Sequence, residues 1–170
     1  MTPGHVVLIG LMGSGKTTVG RKLALAIGRR FVDTDEEVER RTGRTVREIF
    51  ETDGESEFRL IEHRVLADAL ASSDPLVVAA AGGAVLRDDN QALLRDPHRV
   101  LWLRAEPELL IERVGRRRGH RPLLDDDPDR RLRQLSSERE PIYRALAGAT
   151  IDVTDKTVDD VCAEIVEVLA

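Results

Sequence analysis

The amino-acid sequence predicts a three-layer α/β/α protein in which helices cover both faces of a five-stranded parallel sheet. Short apolar runs suited to buried strands alternate with segments whose apolar residues recur at helical spacing. A glycine-rich phosphate-binding motif separates the first such strand from the first helix. With 170 residues and 41% hydrophobic content, the chain is long enough to form one domain, 1–170, around a substantial core.

The strand-like runs are apolar and rich in β-branched residues. They lie at 6–9, 31–33, 76–80, 100–103 and 149–153. Parallel neighbours need long crossovers, so the helical patterns between these runs predict a parallel sheet. The last helix has its own start signal, because Thr157 can cap it and Asp160 lies in its positive first turn.

Two segments interrupt this alternation. The first is a mostly helical insertion at about 34–71, and the second is a charged stretch at about 115–128. Insertions near a phosphate loop often bind a second substrate or close over the site. We therefore expect a helical substrate-binding insertion and a mobile lid.

Composition excludes several classes of protein. A net charge of −5 argues against general affinity for nucleic acid. The single cysteine, Cys162, cannot form an internal disulfide, and its apolar neighbours on the last helix favour a packing role. No secretion signal is recognisable, and the apolar run at 76–86 is too short to span a bilayer. We expect a cytoplasmic protein with no membrane partner.

The phosphate-binding motif is the strongest functional signal. Gly10, Gly15, Lys16 and Thr17 fit the pattern G-x-x-x-x-G-K-[ST], in which backbone N–H groups surround phosphates, the lysine meets the outer phosphates and the hydroxyl ligates Mg²⁺. The following helix begins where the phosphates would lie, so its N-terminus adds positive potential. A chance glycine-rich turn is the alternative, but the flanking strand and helix argue against it.

Two aspartates follow the second strand. Asp33 and Asp35 are two residues apart, so their side chains would point to the same side if the chain stayed extended. This end of a parallel sheet faces the ligand crevice. One carboxylate can hold Mg²⁺ or its waters while the other accepts a hydrogen bond or a proton from a hydroxyl. The alternative, strongest for Asp35, is a cap on the next helix.

Two later motifs suit an anionic ligand. Arg59 and Glu62 are three residues apart on a helical pattern, where the carboxylate can fix the guanidinium for a bidentate grip on a substrate carboxylate. The alternative is a solvated surface pair. Gly82 and Gly83 follow the third strand and lack side chains that would keep a ligand from the backbone, although an ordinary tight turn would also use them.

The charged stretch reads "RRRGHRPLLDDD". Its simplest interpretation is a solvated loop. Its arginines at positions 116, 117 and 121 can instead close over ATP and neutralise charge that develops during transfer.

Taken in order, the motifs "GLMGSGKTT", "DTD", "GESEFR", "AGGAV", "RPLL" and "REPIY" resemble those of the shikimate kinases, enzymes of aromatic amino-acid biosynthesis. The resemblance covers nearly the whole chain. It implies a P-loop kinase fold like that of the nucleoside monophosphate kinases. It also implies transfer of the γ-phosphate of ATP to the 3-hydroxyl of shikimate, giving shikimate 3-phosphate and ADP, with Mg²⁺ as cofactor. We expect a monomer whose partners are ATP and shikimate, with no nucleic acid.

The resemblance also implies a role for each site residue. The implied ATP-binding residues are Gly13, Ser14, Gly15, Lys16, Thr17, Thr18 and Arg117. The implied shikimate-binding residues are Asp35, Arg59, Gly82, Gly83, Arg121 and Arg139. Catalysis is implied for Lys16, which would stabilise the transferring phosphoryl group, for Asp35 as candidate base, and for Arg121. Mg²⁺ would be held by Thr17 and Asp33. Arg116 is an alternative to Arg117, because the length of this stretch varies in the family.

One departure and two rival functions stand beside this resemblance. The family usually has three successive glycines where this chain has Ala81, Gly82 and Gly83. Only a contact made by the first of the three is therefore in doubt. A gluconate kinase would share the phosphate loop and an acidic, hydroxylated substrate. A nucleotide-binding regulatory module is the other rival, but a GTPase would need an Asn-Lys-x-Asp reader, and Asn90 is followed by Gln-Ala-Leu.

Overall fold

The sheet is the centre of the fold. The computed structural model describes residues 4–95, 98–116 and 127–170, and within these ranges five strands form one parallel sheet in the order β2-β3-β1-β4-β5. The strands are β1 Val6–Ile9, β2 Arg30–Asp33, β3 Leu76–Ala79, β4 Arg99–Arg104 and β5 Ala149–Asp152. The predicted five-stranded parallel sheet is confirmed, and the ends of each strand lie within one residue of the predicted ones.

Helices connect the strands and cover the sheet. They are α1 Lys16–Ala26, α2 Thr34–Thr42, α3 Val46–Asp53, α4 Glu55–Leu70, α5 Asp88–Leu94, α6 Pro107–Gly115, α7 Pro128–Leu146 and α8 Val158–Leu169, with a 3-10 helix at Ala84–Leu86. Helix α1 packs against α8 and the strands β1 to β3, whereas α7 packs against β4 and α6. The predicted three-layer α/β/α architecture is therefore confirmed.

The main core lies on both sides of the central strands. Every residue of β1 and β3 is buried, which explains why these strands read as continuous apolar runs rather than alternating patterns. Cys162 belongs to this core, and its Sγ lies 3.7 Å from the carbonyl oxygen of Val19. In the described ranges no helix has the length and apolar composition that crossing a bilayer requires.

A second, smaller core lies among α2, α3 and α4. It consists of Val38, Ile49, Phe58 and Val65, which come from all three helices of the predicted insertion. The insertion thus buries apolar side chains of its own, in addition to resting on the sheet. We call this set the insertion core.

Local sequence signals account for the helix starts that shape the site. Thr157 and Asp160 form a capping box at the start of α8, as predicted, and Thr45 with Glu48 does the same for α3. At α2 the capping residue is Asp33, whose Oδ1 accepts hydrogen bonds from the backbone N–H groups of Asp35 and Glu36 at 2.9 and 3.2 Å. The strand β2 therefore turns directly into a helix at Asp33.

Candidate active site

One cleft opens at the carboxyl ends of β1, β2 and β3. It encloses a cavity of about 400 Å³, into which the phosphate loop, the start of α2, helix α4, the glycine turn after β3 and α7 all project. The cavity is lined by Gly13, Ser14, Gly15, Lys16, Thr17, Thr18, Asp33, Asp35, Arg59, Gly82, Gly83 and Arg139. The structure thus brings together every predicted site residue that it describes. Arg117 and Arg121 lie outside the described residues, as does most of the predicted lid.

The phosphate loop is shaped by glycines with positive φ. Gly10, Gly13 and Gly15 have φ values of 144°, 84° and 97°, which other residues rarely adopt. Helix α1 begins immediately afterwards at Lys16, so its first N–H groups face the cavity. The Lys16 ammonium donates hydrogen bonds to the carbonyl oxygens of Gly10 and Leu11 at 2.7 and 3.1 Å. A positive charge therefore lies inside the loop that would surround phosphates.

Thr17 and Asp33 form a pair of oxygen donors beside this loop. The Thr17 hydroxyl donates to Asp33 Oδ2 at 2.6 Å, while Asp33 Oδ1 caps α2. A hydroxyl and a carboxylate at hydrogen-bond distance are hard ligands of the kind that Mg²⁺ takes. In the described ranges no group of three or more His, Cys, Asp or Glu side chains could hold a metal. The Thr17–Asp33 pair therefore suits a metal whose other ligands are phosphate oxygens and waters.

The two aspartates have different surroundings from those expected from their spacing. The capping alternative was strongest for Asp35, but Asp33 is the cap, and Asp35 lies in the first turn of α2. The extended backbone that would align both side chains ends at Asp33, because the helix begins at Thr34. Both carboxylates nevertheless line the cavity. Asp35 thus lines the cavity from the first turn of α2, while Asp33 pairs with Thr17.

Arg59 is held by a buried carboxylate. Its Nη1 donates to both oxygens of Glu62 at 3.0 Å, and its Nη2 lies 3.3 Å from Glu55 Oε1. The side chain of Glu62 is fully buried and that of Arg59 is 11% exposed, so the alternative of a solvated surface pair is wrong. Burial raises the pKa of Glu62 to about 7, although the charge of Arg59 acts in the opposite direction.

Arg139 adds a second guanidinium to this pocket. It lies on α7, is 3% exposed, and is close enough to Glu62 for its charge to lower the pKa of that carboxyl group. Two arginines therefore lie beside one buried acidic side chain, and Glu55 is a further partner of Arg59. Guanidinium groups held in this way can bind a carboxylate in the cavity.

The glycines after β3 make room for these arginines. Neither Gly82 nor Gly83 has positive φ, so the turn itself does not require glycine. A Cβ on Gly83 would lie only 2.3 Å from Nη2 of Arg59, and one on Gly82 would lie 3.4 Å from Nη1 of Arg139. Both glycines also line the cavity. Ala81 precedes them, and its N–H donates to the buried hydroxyl of Thr34 at 2.9 Å.

Three features of the site were missed in the sequence. Arg113 on α6 donates to the carbonyl oxygen of Gly13 at 3.0 Å and lines the cavity. Its only signal was its place before the charged stretch, where Arg116 lines the cavity edge and pairs with Glu112. Apolar residues of α3 and α4, namely Val46, Phe50 and Phe58, form one wall of the cleft. In the sequence only their helical spacing was visible, which did not indicate a place in the site. The Tyr143 hydroxyl donates to the carbonyl oxygen of Gly82 at 2.7 Å.

These features define a P-loop kinase. They are a parallel sheet, a glycine-rich loop before a helix, a lysine within that loop and a Thr–Asp pair beside it. Two arginines, Arg59 and Arg139, line the same cavity as the loop. The model of the family described as shikimate kinase matches residues 12–170. The chain belongs to the shikimate kinase family.

Individual relatives agree with this result. A shikimate kinase from Symbiobacterium thermophilum is 50% identical over 167 residues, which cover 97% of this chain and 95% of the relative. The solved shikimate kinase from Acinetobacter baumannii in complex with shikimate has a TM-score of 0.94 at 39% identity, covering 99% of this chain and 93% of that one. A gluconokinase from Sinorhizobium meliloti has a TM-score of 0.67 at 23% identity and shares the fold alone.

Proposed function

We propose that this protein transfers the γ-phosphate of ATP to the 3-hydroxyl of shikimate, giving shikimate 3-phosphate and ADP. The observation that carries the proposal is the pair of buried arginines, Arg59 and Arg139, around the single buried carboxylate of Glu62, across one cavity from the phosphate loop. Membership of the shikimate kinase family supports the same substrate. The alternative of a gluconate kinase has only a shared fold in its favour.

The acceptor is held at its carboxylate and its hydroxyls. Arg59, oriented by Glu62, and Arg139 bind the carboxylate, because a guanidinium fork matches its two oxygens. Gly82 and Gly83 let the ring approach the turn after β3. Asp35, on the first turn of α2, accepts a hydrogen bond from a shikimate hydroxyl and orients it. A loose phosphoryl-transfer transition state asks little of a base, so orientation is the main task of Asp35.

The nucleotide is held by the loop and the start of α1. Backbone N–H groups of Gly13 to Thr18 surround the phosphates, and the Lys16 ammonium stabilises the charge that spreads over the transferring phosphoryl group. The roles proposed for Arg117 and Arg121 rest on the sequence motif alone. Helix α6 supports the loop through the bond from Arg113 to Gly13.

Mg²⁺ fits the Thr17–Asp33 pair. When bound there, the ion neutralises phosphate charge. Thr17 and Asp33 are the residues that would hold it, while the second oxygen of Asp33 keeps α2 capped. Two tasks for one carboxylate fix its orientation before the metal binds.

Three further parts of the proposal are a monomeric active unit, no binding of nucleic acid and a cytoplasmic location. The net charge of −5 supports the absence of nucleic-acid binding. ATP as co-substrate and a single, buried cysteine support a cytoplasmic location.

The test is a coupled assay for ADP release with the purified protein, Mg²⁺ and ATP. Shikimate and gluconate are titrated side by side, and ADP release without acceptor is subtracted. We expect turnover with shikimate to exceed that with gluconate by orders of magnitude. The matched control is Lys16→Met, which keeps the fold but lacks the charge in the loop. Equal turnover of the two acceptors, or faster turnover of gluconate, would overturn the proposal.

A further inference from the structure

Tyr143 is the only tyrosine of the chain and is 1% exposed on α7. Its ring lies 5.8 Å from that of Trp102, centroid to centroid. The hydroxyl donates to the carbonyl oxygen of Gly82 at 2.7 Å, which joins α7 to the turn after β3 across 61 positions of the sequence. A buried tyrosine usually finds a partner for its hydroxyl, and here the partner belongs to the turn that lines the acceptor site.

The same hydroxyl also lies near Arg139. The two residues are four apart on α7, so their side chains share one face of the helix. The charge of Arg139 acts on the Tyr143 hydroxyl and lowers its pKa, and a Cβ on Gly82 would lie 3.4 Å from Nη1 of Arg139 and 3.6 Å from the hydroxyl oxygen. The hydroxyl therefore donates to the carbonyl oxygen of Gly82 and lies near an arginine, which has no acceptor of its own.

Two further features bear on the role of this hydroxyl. Burial raises the pKa of Tyr143 to about 12, with Arg139 acting against the shift, so the hydroxyl keeps its proton at neutral pH. In addition, Pro141 lies within α7 between the two residues. Proline has no N–H for the helix ladder, so this turn of α7 has one fewer internal bond to fix the position of Arg139.

We propose that Tyr143 is a positioning residue that holds Arg139 against the Gly82 turn. The role rests on the proposed function, in which Arg139 binds the shikimate carboxylate. The tyrosine does not touch the substrate. It sets the distance between the guanidinium and the turn against which the acceptor ring lies, and the bond to Gly82 replaces the support that α7 lacks at Pro141.

The first experiment is Tyr143→Phe, which keeps the ring and its packing on Trp102 but removes the hydroxyl oxygen. The variant loses the hydrogen bond to Gly82, which holds the turn beside Arg139. A hydrogen bond of this kind can change affinity by up to about tenfold, so we expect the KM for shikimate to rise by up to about that factor. Since the loss concerns binding before and during transfer alike, kcat should stay within about twofold. The Kd for ATP, measured by calorimetry, should be unchanged.

A double-mutant cycle separates positioning from simple packing. If Tyr143 acts through Arg139, then adding Tyr143→Phe to Arg139→Lys should raise the shikimate KM no further than Arg139→Lys alone. Multiplicative losses would overturn the positioning role. The matched control is Leu132→Val, a buried residue of the same helix and of the main core, which loses packing but no hydrogen bond. Its shikimate KM should equal that of the wild type, and a similar rise in both variants would also overturn the proposal.

The wild-type assay distinguishes a failure of the proposed function from a failure of the positioning role. If the wild type does not phosphorylate shikimate, the proposed function fails, and the role of Tyr143 fails with it. If the wild type is active and Tyr143→Phe has the wild-type KM, the positioning role alone is wrong.

Discussion

Replacing Gly83 by alanine tests how closely the turn after β3 fits Arg59. The added Cβ would lie 2.3 Å from Nη2, 2.5 Å from Cζ and 2.5 Å from Nη1 of Arg59. Ordinary contacts of this kind begin at 3.4 Å, so the guanidinium must move by about 1 Å. The backbone itself can accept alanine, because φ at Gly83 is −90°.

This displacement of the guanidinium weakens the binding of shikimate. Arg59 cannot move by this distance and keep both 3.0 Å contacts of Nη1 with Glu62, and Glu62 is buried on α4 and cannot follow. Losing an oriented charged contact, or misplacing a binding group by about 1 Å, weakens function about 10- to 100-fold. We expect the shikimate KM of Gly83→Ala to rise by this factor.

The assay is ADP release at saturating ATP with shikimate titrated, together with the Kd for ATP by calorimetry. Gly82→Ala is the graded comparison, since its nearest contacts would be 3.3 Å to the carbonyl oxygen of Gly10 and 3.4 Å to Arg139. It requires shifts of only a few tenths of an ångström and should raise the KM less. A Gly83→Ala enzyme with a near-wild-type shikimate KM would refute the reasoning, as would an equal loss of ATP affinity.

Three further predictions concern charges in the cleft. Lys16→Met should lower kcat by about 10² or more with the fold intact by circular dichroism; normal turnover by a folded variant would remove Lys16 from the mechanism. Arg59→Lys keeps the charge but loses the fork, so shikimate binding should weaken while the Kd for ATP stays the same, and equal losses would assign Arg59 to the fold or the nucleotide. Glu62 has a pKa raised from 4.5 to about 7. A raised pKa stabilises the folded state below about pH 4.5, and this contribution is lost as the pH rises to about 7. Relative to Glu62→Gln, the wild type should therefore lose up to about 3 kcal/mol of unfolding free energy over this interval in urea titrations. A difference that does not vary with pH would contradict the assignment.

The features that the sequence predicted depend on short-range patterns. Buried parallel strands read as apolar runs, and the pairing of Arg59 with Glu62 follows from three-residue spacing on a helix. The capping residue of α2 could not be predicted in this way. Whether Asp33 or Asp35 is the cap depends on the residue at which α2 begins, and the start of a helix is not fixed by spacing alone.

Contacts between segments that are distant in the chain could not be predicted from the sequence either. Gly83 meets Arg59, and Tyr143 meets Gly82, only because α4 and α7 pack against the turn after β3. The motif "AGGAV" indicated an open backbone but not which side chains would occupy the space. Arg113 was missed for the same reason, since its partner Gly13 is 100 positions away.

The insertion core separates two properties of the enzyme. Val38, Ile49, Phe58 and Val65 pack among α2, α3 and α4, while the phosphate loop is supported by β1, β4 and α6. Under the proposed function, a substitution in the insertion core therefore changes the shape of the acceptor site while leaving the supports of the loop in place. During divergence of such kinases, the choice of acceptor can drift at one set of buried positions while the handling of ATP is maintained at another.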